Sequence, residues 1–106
     1  MDYKREMQEL YKQIEEAEKA GKNPAILYKR QIEILEESHK SFIEKARTMG
    51  VNLDSDLNAL EMEIKHFKAM KQIAQKANFP TEKYDRYMRD ARIRVLGEDF
   101  VKKHFN

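Results

Sequence analysis

The sequence predicts an all-α fold, an antiparallel helical bundle of three long helices with a fourth helix and a short C-terminal helical tail. Its three glycines and two prolines all stand at breaks in helical patterns. Gly21, Gly50 and Gly97 follow amphipathic runs, whereas Pro24 and Pro80 stand where the next runs begin. Glycine readily adopts the left-handed conformation that ends a helix, and proline in a first turn gives up an N–H that has no intrahelical partner.

Apolar residues recur between these breaks at alternating spacings of four and three, which is the period of one helix face. The pattern predicts helices at about 2–20, 24–49, 55–78, 81–96 and 98–105, within a single domain 1–106. The loop between Gly21 and Pro24 is short, so the first two helices are expected to be antiparallel neighbours. At the start of the third helix, Asp54 or Ser55 can cap the free N–H groups.

The predicted core consists of the apolar stripes of these helices. Helix one contributes Tyr3, Met7, Leu10, Tyr11, Ile14 and Ala17, and helix two contributes Tyr28, Ile32, Leu35, His39, Phe42, Ala46 and Met49. Helix three contributes Leu57, Leu60, Ile64, Phe67, Met70, Ile73 or Ala74, and Ala77, and helix four contributes Tyr84, Tyr87, Met88, Ala91 and Val95. Beside the main stripe of helix two, Leu27 and Ile34 form a second edge that helix four or a partner protein must cover.

The C-terminal tail is predicted to bind a partner. A helix as short as 98–105 is marginal alone, so its apolar side must be covered by the bundle or by a partner. The break at Gly97 and the basic flank of Lys102 and Lys103 favour the partner. The predicted partner-binding residues are Phe100, Val101, Lys102, Lys103 and Phe105, together with Leu27 and Ile34.

The composition excludes several classes of protein. The chain contains no cysteine, so it has neither disulfides nor thiolate metal ligands, as is usual in a reducing compartment. It also has no apolar stretch near the roughly 20 residues that span a bilayer, and its first residues lack the apolar core of a signal peptide. These features predict a cytoplasmic protein without a transmembrane segment.

Charge is distributed unevenly along the chain. Residues 1–63 carry 10 basic and 14 acidic side chains, whereas residues 64–106 carry 11 basic and 5 acidic ones. This polarity predicts weak self-association, most simply a homodimer, that loosens as salt screens the charges. It also allows an alternative function, a nucleic-acid-binding surface on the basic half formed by Lys65, Lys68, Lys76, Lys83, Arg86, Arg89 and Arg92.

Two Glu-x-x-His pairs, Glu36 with His39 and Glu63 with His66, suggest a second alternative. This spacing places a carboxylate and an imidazole on one helix face, as in di-iron carboxylate bundles. Such sites also need a glutamate from each of two further helices, and the fourth helix offers only Glu82 near its start. The main prediction therefore includes no metal, no cofactor and no small-molecule substrate.

No catalytic group is recognisable either. Ser38, Ser41 and Ser55 lie on predicted helix surfaces or caps without a base beside them, and no glycine loop could bind phosphate. The sequence therefore predicts a non-enzymatic protein that acts by binding other proteins.

A family resemblance agrees with this prediction. The run Tyr11-Lys12-Gln13, Ala17, Ala20-Gly21, Tyr28, Arg30, Leu35-Glu36, Ala46-Arg47 and Gly50-Val51 resembles the helical hairpin repeats of lethal giant discs-type endosomal proteins. The part from Leu27-Tyr28 through Met49-Gly50 to Phe79-Pro80-Thr81-Glu82-Lys83-Tyr84 is similar to the helical segment before the membrane-binding β-sandwich of that family. The resemblance implies an adaptor or regulator in membrane trafficking, beside the filament-forming subunits of endosomal membrane remodelling.

Overall fold

The fold was analysed in a computed structural model that describes residues 2–105. It contains the helices Tyr3–Lys19 (α1), Ala25–Thr48 (α2), Leu57–Lys76 (α3), Glu82–Leu96 (α4) and Glu98–Phe105 (α5). No β-strand occurs in the part of the chain that is described. The predicted all-α class is therefore confirmed, and every predicted helix end lies within two residues of an observed one.

The cap of α3 is Asp56, not Asp54 or Ser55 as the sequence suggested. The Asp56 side chain accepts a hydrogen bond of 2.9 Å from the backbone N–H of Ala59, which has no partner inside the helix. The two preceding residues belong to a turn built on Asn52. Its side chain accepts from the Asp54 N–H and its carbonyl accepts from the Ser55 N–H.

Helices α1, α2 and α3 end in the same way. In each, the residue after the C-cap has a positive φ, 70° at Gly21, 77° at Gly50 and 59° at Asn78. The backbone N–H of the following residue then reaches back five positions to a helix carbonyl, at distances of 2.8 to 2.9 Å. This is the Schellman arrangement. The third helix is thus ended by Asn78, since asparagine tolerates the left-handed conformation better than most side chains.

The helices form an open layer rather than a closed bundle. Among residues 2–105, only helices consecutive in sequence bring their Cα atoms within 8 Å of each other. The principal dimensions are 49 × 33 × 14 Å, and the smallest is only slightly more than the roughly 10–12 Å diameter of one helix. The sequence predicted that the fourth helix and the tail pack across the first three helices. Instead, α4 lies beside α3 and α5 lies beside α4. Short connections favour contacts between consecutive helices, and the turn at Gly97 directs α5 back onto α4.

The core joins the first four helices. Its buried cluster consists of Ile14, Tyr28, Ile32, Met70, Ile73, Ala74 and Tyr84. Four residues predicted to be core are instead largely exposed, namely Tyr11, Met49, Leu57 and Tyr87, at 53, 70, 64 and 42%. Only consecutive helices have closely spaced backbones, so apolar side chains directed away from this shared core stay in solvent.

Polar contacts fix α1 on α2 in addition to the buried Leu10 and Ile14. The Tyr28 hydroxyl donates a hydrogen bond of 2.8 Å to Glu18, and this bond together with burial raises the pKa of Tyr28. Near the other end of α1, Arg30 forms an ion pair of 2.8 Å with Glu6.

Gln31 is a buried polar residue that the apolar pattern of α2 does not reveal. It is 0% exposed, and neither Oε1 nor Nε2 of its amide has a hydrogen-bond partner among the described residues. A buried donor or acceptor that loses its water without gaining a partner costs about 1–3 kcal/mol.

We expect Gln31→Met to stabilise the protein. Methionine has a similar length and no strong polar group, so the free energy of unfolding should rise by about 1–3 kcal/mol in urea titrations followed by circular dichroism. Gln13→Met, at an exposed position of α1, is the control and should change it by less than about 0.5 kcal/mol. A Gln31→Met variant no more stable than wild type would show that the amide is satisfied in solution.

Candidate α2–α4 groove

A groove runs between α2 and α4 over the surface of α3. Helices α2 and α4 both pack on α3, and no Cα atom of α2 lies within 8 Å of a Cα atom of α4. Two clefts of ≈ 480 and ≈ 590 Å³ lie between them and adjoin each other, since both are lined by Glu33, Glu36, Lys83 and Tyr84. Along α2 the lining extends from Lys29 to Lys40. At 1.5 Å per residue this is about 17 Å, or about three helical turns.

The floor of the groove is the upper surface of the apolar core. Ile32, Met70 and Tyr84 are buried in the core cluster and also line the groove. Phe67 is partly buried and its ring centroid lies 5.5 Å from that of Tyr87, the most exposed aromatic residue of the floor. The floor therefore offers aromatic and aliphatic surface for a ligand to cover.

The walls of the groove carry charges of both signs. The α2 wall bears Lys29 and Lys40 beside Glu33, Glu36 and Glu37, and the α4 wall bears Glu82 beside Lys83 and Arg86. The ammonium group of Lys83 is 5.1 Å from the Tyr84 ring centroid, which holds it at the rim. Within residues 2–105 neither Glu36 nor Arg86 has an ion-pair partner. A ligand in the groove thus meets the Glu36 carboxylate between Lys29 and Lys40 on the α2 side, and Lys83 and Arg86 on the α4 side.

A buried polar network supports one end of the groove. Glu63 is only 5% exposed, and its carboxylate accepts hydrogen bonds from His39 Nε2, at 2.9 Å, and from Arg94. Arg94 Nε also lies 3.5 Å from the Asp54 carboxylate. The His39 ring, fixed by Glu63, packs 4.9 Å from the Phe67 ring on the groove floor.

The environment of Glu63 favours its ionised form. Burial alone would raise the pKa of this carboxyl group. The hydrogen bonds from His39 and Arg94, with the positive charge of Arg94, together outweigh burial and lower the pKa of Glu63 below its ordinary value.

The residues of the di-iron alternative do not converge on a metal site. His39 is bonded to Glu63 and its ring lies 5.6 Å from the His66 ring, but Glu36 lines the groove wall. The second oxygen of Glu63 is taken by the guanidinium of Arg94. His66 contacts the Met62 carbonyl and the Ser38 hydroxyl. Among the residues described, no three histidine or carboxylate side chains are grouped to bind a metal ion.

Two of the predicted partner-binding residues are buried inside the chain. Ile34 and Val101 are each 1% exposed, and Leu27 packs partly buried against the core. Val101 is covered because α5 folds back onto α4. Phe100 and Phe105 remain about half exposed, and the Arg92 guanidinium lies 4.6 Å from the Phe105 ring centroid. In the basic flank, Lys102 pairs with Glu98 of the same helix, whereas Lys103 is exposed.

The basic residues of the nucleic-acid alternative are distributed over several surfaces. Lys83 and Arg86 lie on the groove wall, and Arg89 and Arg92 line a small cleft between α4 and α5. On α3, Lys65 pairs with Glu61, Lys68 is exposed, and Lys76 lines a cleft that it shares with Glu15 and Glu18.

Between residues 2 and 105, no helix combines the length and the apolar composition needed to cross a membrane. Comparisons with protein-family models, with characterised proteins and with solved structures found no significant match to this chain.

Proposed function

We propose that this protein is a non-enzymatic interaction module whose α2–α4 groove binds an amphipathic helix of another protein. The observation that carries this proposal is a groove about three helical turns long between α2 and α4, with apolar side chains that include Ile32, Phe67 and Met70 at its floor. Helices that bind in grooves commonly do so through an apolar face with anchors at i, i+3 or i+4, and i+7.

Individual unpaired charges of the walls indicate the chemistry of the partner. Its helix should carry Lys or Arg at the position that faces Glu36, which lies between Lys29 and Lys40 on α2, and Asp or Glu at the positions that face Lys83 and Arg86. Such complementary charges fix orientation and exclude other partners more than they add affinity. The resemblance to lethal giant discs-type proteins makes endosomal membrane remodelling the first process in which to seek this partner.

Selection from a phage-displayed library of helical peptides tests the proposal. We expect enriched peptides to combine an apolar stripe with a basic residue placed to face Glu36 and acidic residues placed to face Lys83 and Arg86. Tyr87→Ala removes half-exposed aromatic surface from the floor and should weaken these peptides about tenfold or more. Tyr11→Ala is the matched control, because Tyr11 is an exposed tyrosine on α1, outside the groove, and should leave their affinity unchanged.

A charge exchange gives a second, independent measurement. Glu36→Lys should weaken binding of peptides that place a basic residue opposite this position, and peptides in which that residue is made acidic should regain affinity. If the enriched peptides bind the Tyr87→Ala and Glu36→Lys variants as tightly as wild type, the groove is not their site. Binding of duplex DNA that weakens with salt and with Lys68→Glu would favour the nucleic-acid alternative instead.

A further inference from the structure

A second exposed apolar feature lies at the end of the α2–α3 hairpin, on residues that do not line the α2–α4 groove. A cleft of ≈ 350 Å³, here called the methionine cleft, lies between the end of α2 and the start of α3. Its apolar lining is Phe42, Ala46, Met49, Val51, Ala59 and Met62. Met49 is 70% exposed and Met62 45% exposed, although both are large apolar side chains.

This surface combines a protrusion and a cavity in one place. Met49 stands out at the rim, next to the cleft that it helps to line. Methionine is unbranched and flexible, so it can fill an irregular apolar space on another molecule. In a two-fold dimer the same patch meets itself, which requires each copy to offer both a protrusion and a space to receive one. The methionine cleft meets that requirement.

The charges at its rim are also complementary to themselves. Lys45 lies on the α2 side and Asp56 on the α3 side. Neither has an ion-pair partner among residues 2–105, although the Asp56 carboxylate also caps α3. A two-fold axis through the cleft can place Lys45 of each copy opposite Asp56 of the other. A partner with a uniformly basic or acidic surface would match only one side of the cleft.

We propose that the protein forms a weak two-fold homodimer in which Met49 of each copy inserts into the methionine cleft of the other. The patch is small, so the dimer belongs to the weak and transient class. Its main contribution is burial of apolar surface, which salt does not screen. It therefore differs from the dimer expected from the charge polarity of the chain, which should dissociate as the salt concentration rises.

Methionine-methyl NMR on the wild-type protein tests this directly. With ¹³C-methyl methionine and a dilution series from millimolar to micromolar, we expect the Met49 and Met62 signals to shift with protein concentration. The signals of Met70 and Met88, which are 2 and 6% exposed, should stay constant. Because Met70 lines the α2–α4 groove, a shift there without one at Met49 would locate the contact in the groove and overturn the proposal.

Sedimentation velocity gives the matching test with variants. Wild type should sediment faster as its concentration rises, at both low and high salt, whereas Met49→Ser should remain monomeric. Ile26→Ser is the control, since Ile26 is 82% exposed at the opposite end of α2, and it should self-associate like wild type. Tyr87→Ala should also self-associate normally, which separates this dimer from peptide binding in the groove. A wild-type protein that stays monomeric with unchanged methyl signals would refute the dimer.

Discussion

We expect Ile34→Ala to lower the free energy of unfolding by about 2–5 kcal/mol, the range for removing a buried aliphatic side chain. Ile34 is 1% exposed and is among the most completely buried side chains of the described chain. Few side chains of this open layer are so fully packed, so the loss of the Ile34 side chain is not compensated by other buried contacts. Urea titration followed by circular dichroism measures the change, and the unfolding midpoint should fall while the slope of the transition stays the same.

The same helix supplies a matched control for this substitution. Ile26 is also an isoleucine of α2 but is 82% exposed, so Ile26→Ala should change stability by less than about 0.5 kcal/mol. The pair separates burial from helix propensity, which favours alanine at both sites. Similar small effects for the two variants would mean that Ile34 is exposed in solution, as the sequence suggested when it assigned this edge to a partner.

The helices could be predicted from the sequence because their determinants are local. Apolar spacing identifies a helix face, and Gly21 and Gly50 adopt the left-handed conformation in which the first two helices end. The third helix shows the limit of this reasoning. Pro80 marked the break, but Asn78 makes the turn, and asparagine is a much weaker signal for a helix end than glycine.

The covering of each helix face could not be predicted in the same way. Periodicity identifies which residues share a face but not which other helix lies against it. Ile34 and Val101 were assigned to a partner and are buried, whereas Met49 and Leu57 were assigned to the core and are exposed. These errors have one cause. A layer in which only consecutive helices have closely spaced backbones covers different faces than a closed bundle does.

The candidate site has the same dependence on tertiary arrangement. The groove exists because α2 and α4 lie on either side of α3 with their backbones apart. No local sequence pattern encodes this arrangement. The Glu63–Arg94 contact joins residues 31 positions apart. The one sign of this contact in the sequence is Glu63, a charged residue next to Ile64 on the apolar stripe of α3. The sequence suggested instead that Glu63 and His66 form a metal-binding pair.

The network around Glu63 gives the second large expected effect. Arg94→Met removes the cation but keeps most of the aliphatic side chain, leaving the buried Glu63 carboxylate with only His39 as a partner. Leaving a buried acceptor without its partner costs about 1–3 kcal/mol, and Arg94 is itself 38% exposed, so water can replace part of its contact. We therefore expect a loss of about this size in urea titrations at neutral pH. Arg47→Met, at an exposed arginine of α2, should be nearly neutral.

The pH dependence of this loss distinguishes charge from packing. In wild type the pKa of Glu63 is below its ordinary value of 4.5, so its ionised form stabilises the fold above that pH. This stabilisation disappears as the pH falls through the lowered pKa. In Arg94→Met, only His39 would still oppose burial, so the pKa of Glu63 should rise and its ionised form should contribute less stability at neutral pH. The difference in stability between the two proteins should then be largest at neutral pH and shrink as Glu63 becomes protonated in both. A difference that stays constant down to acidic pH would show that Arg94 acts through its packing and not through its charge.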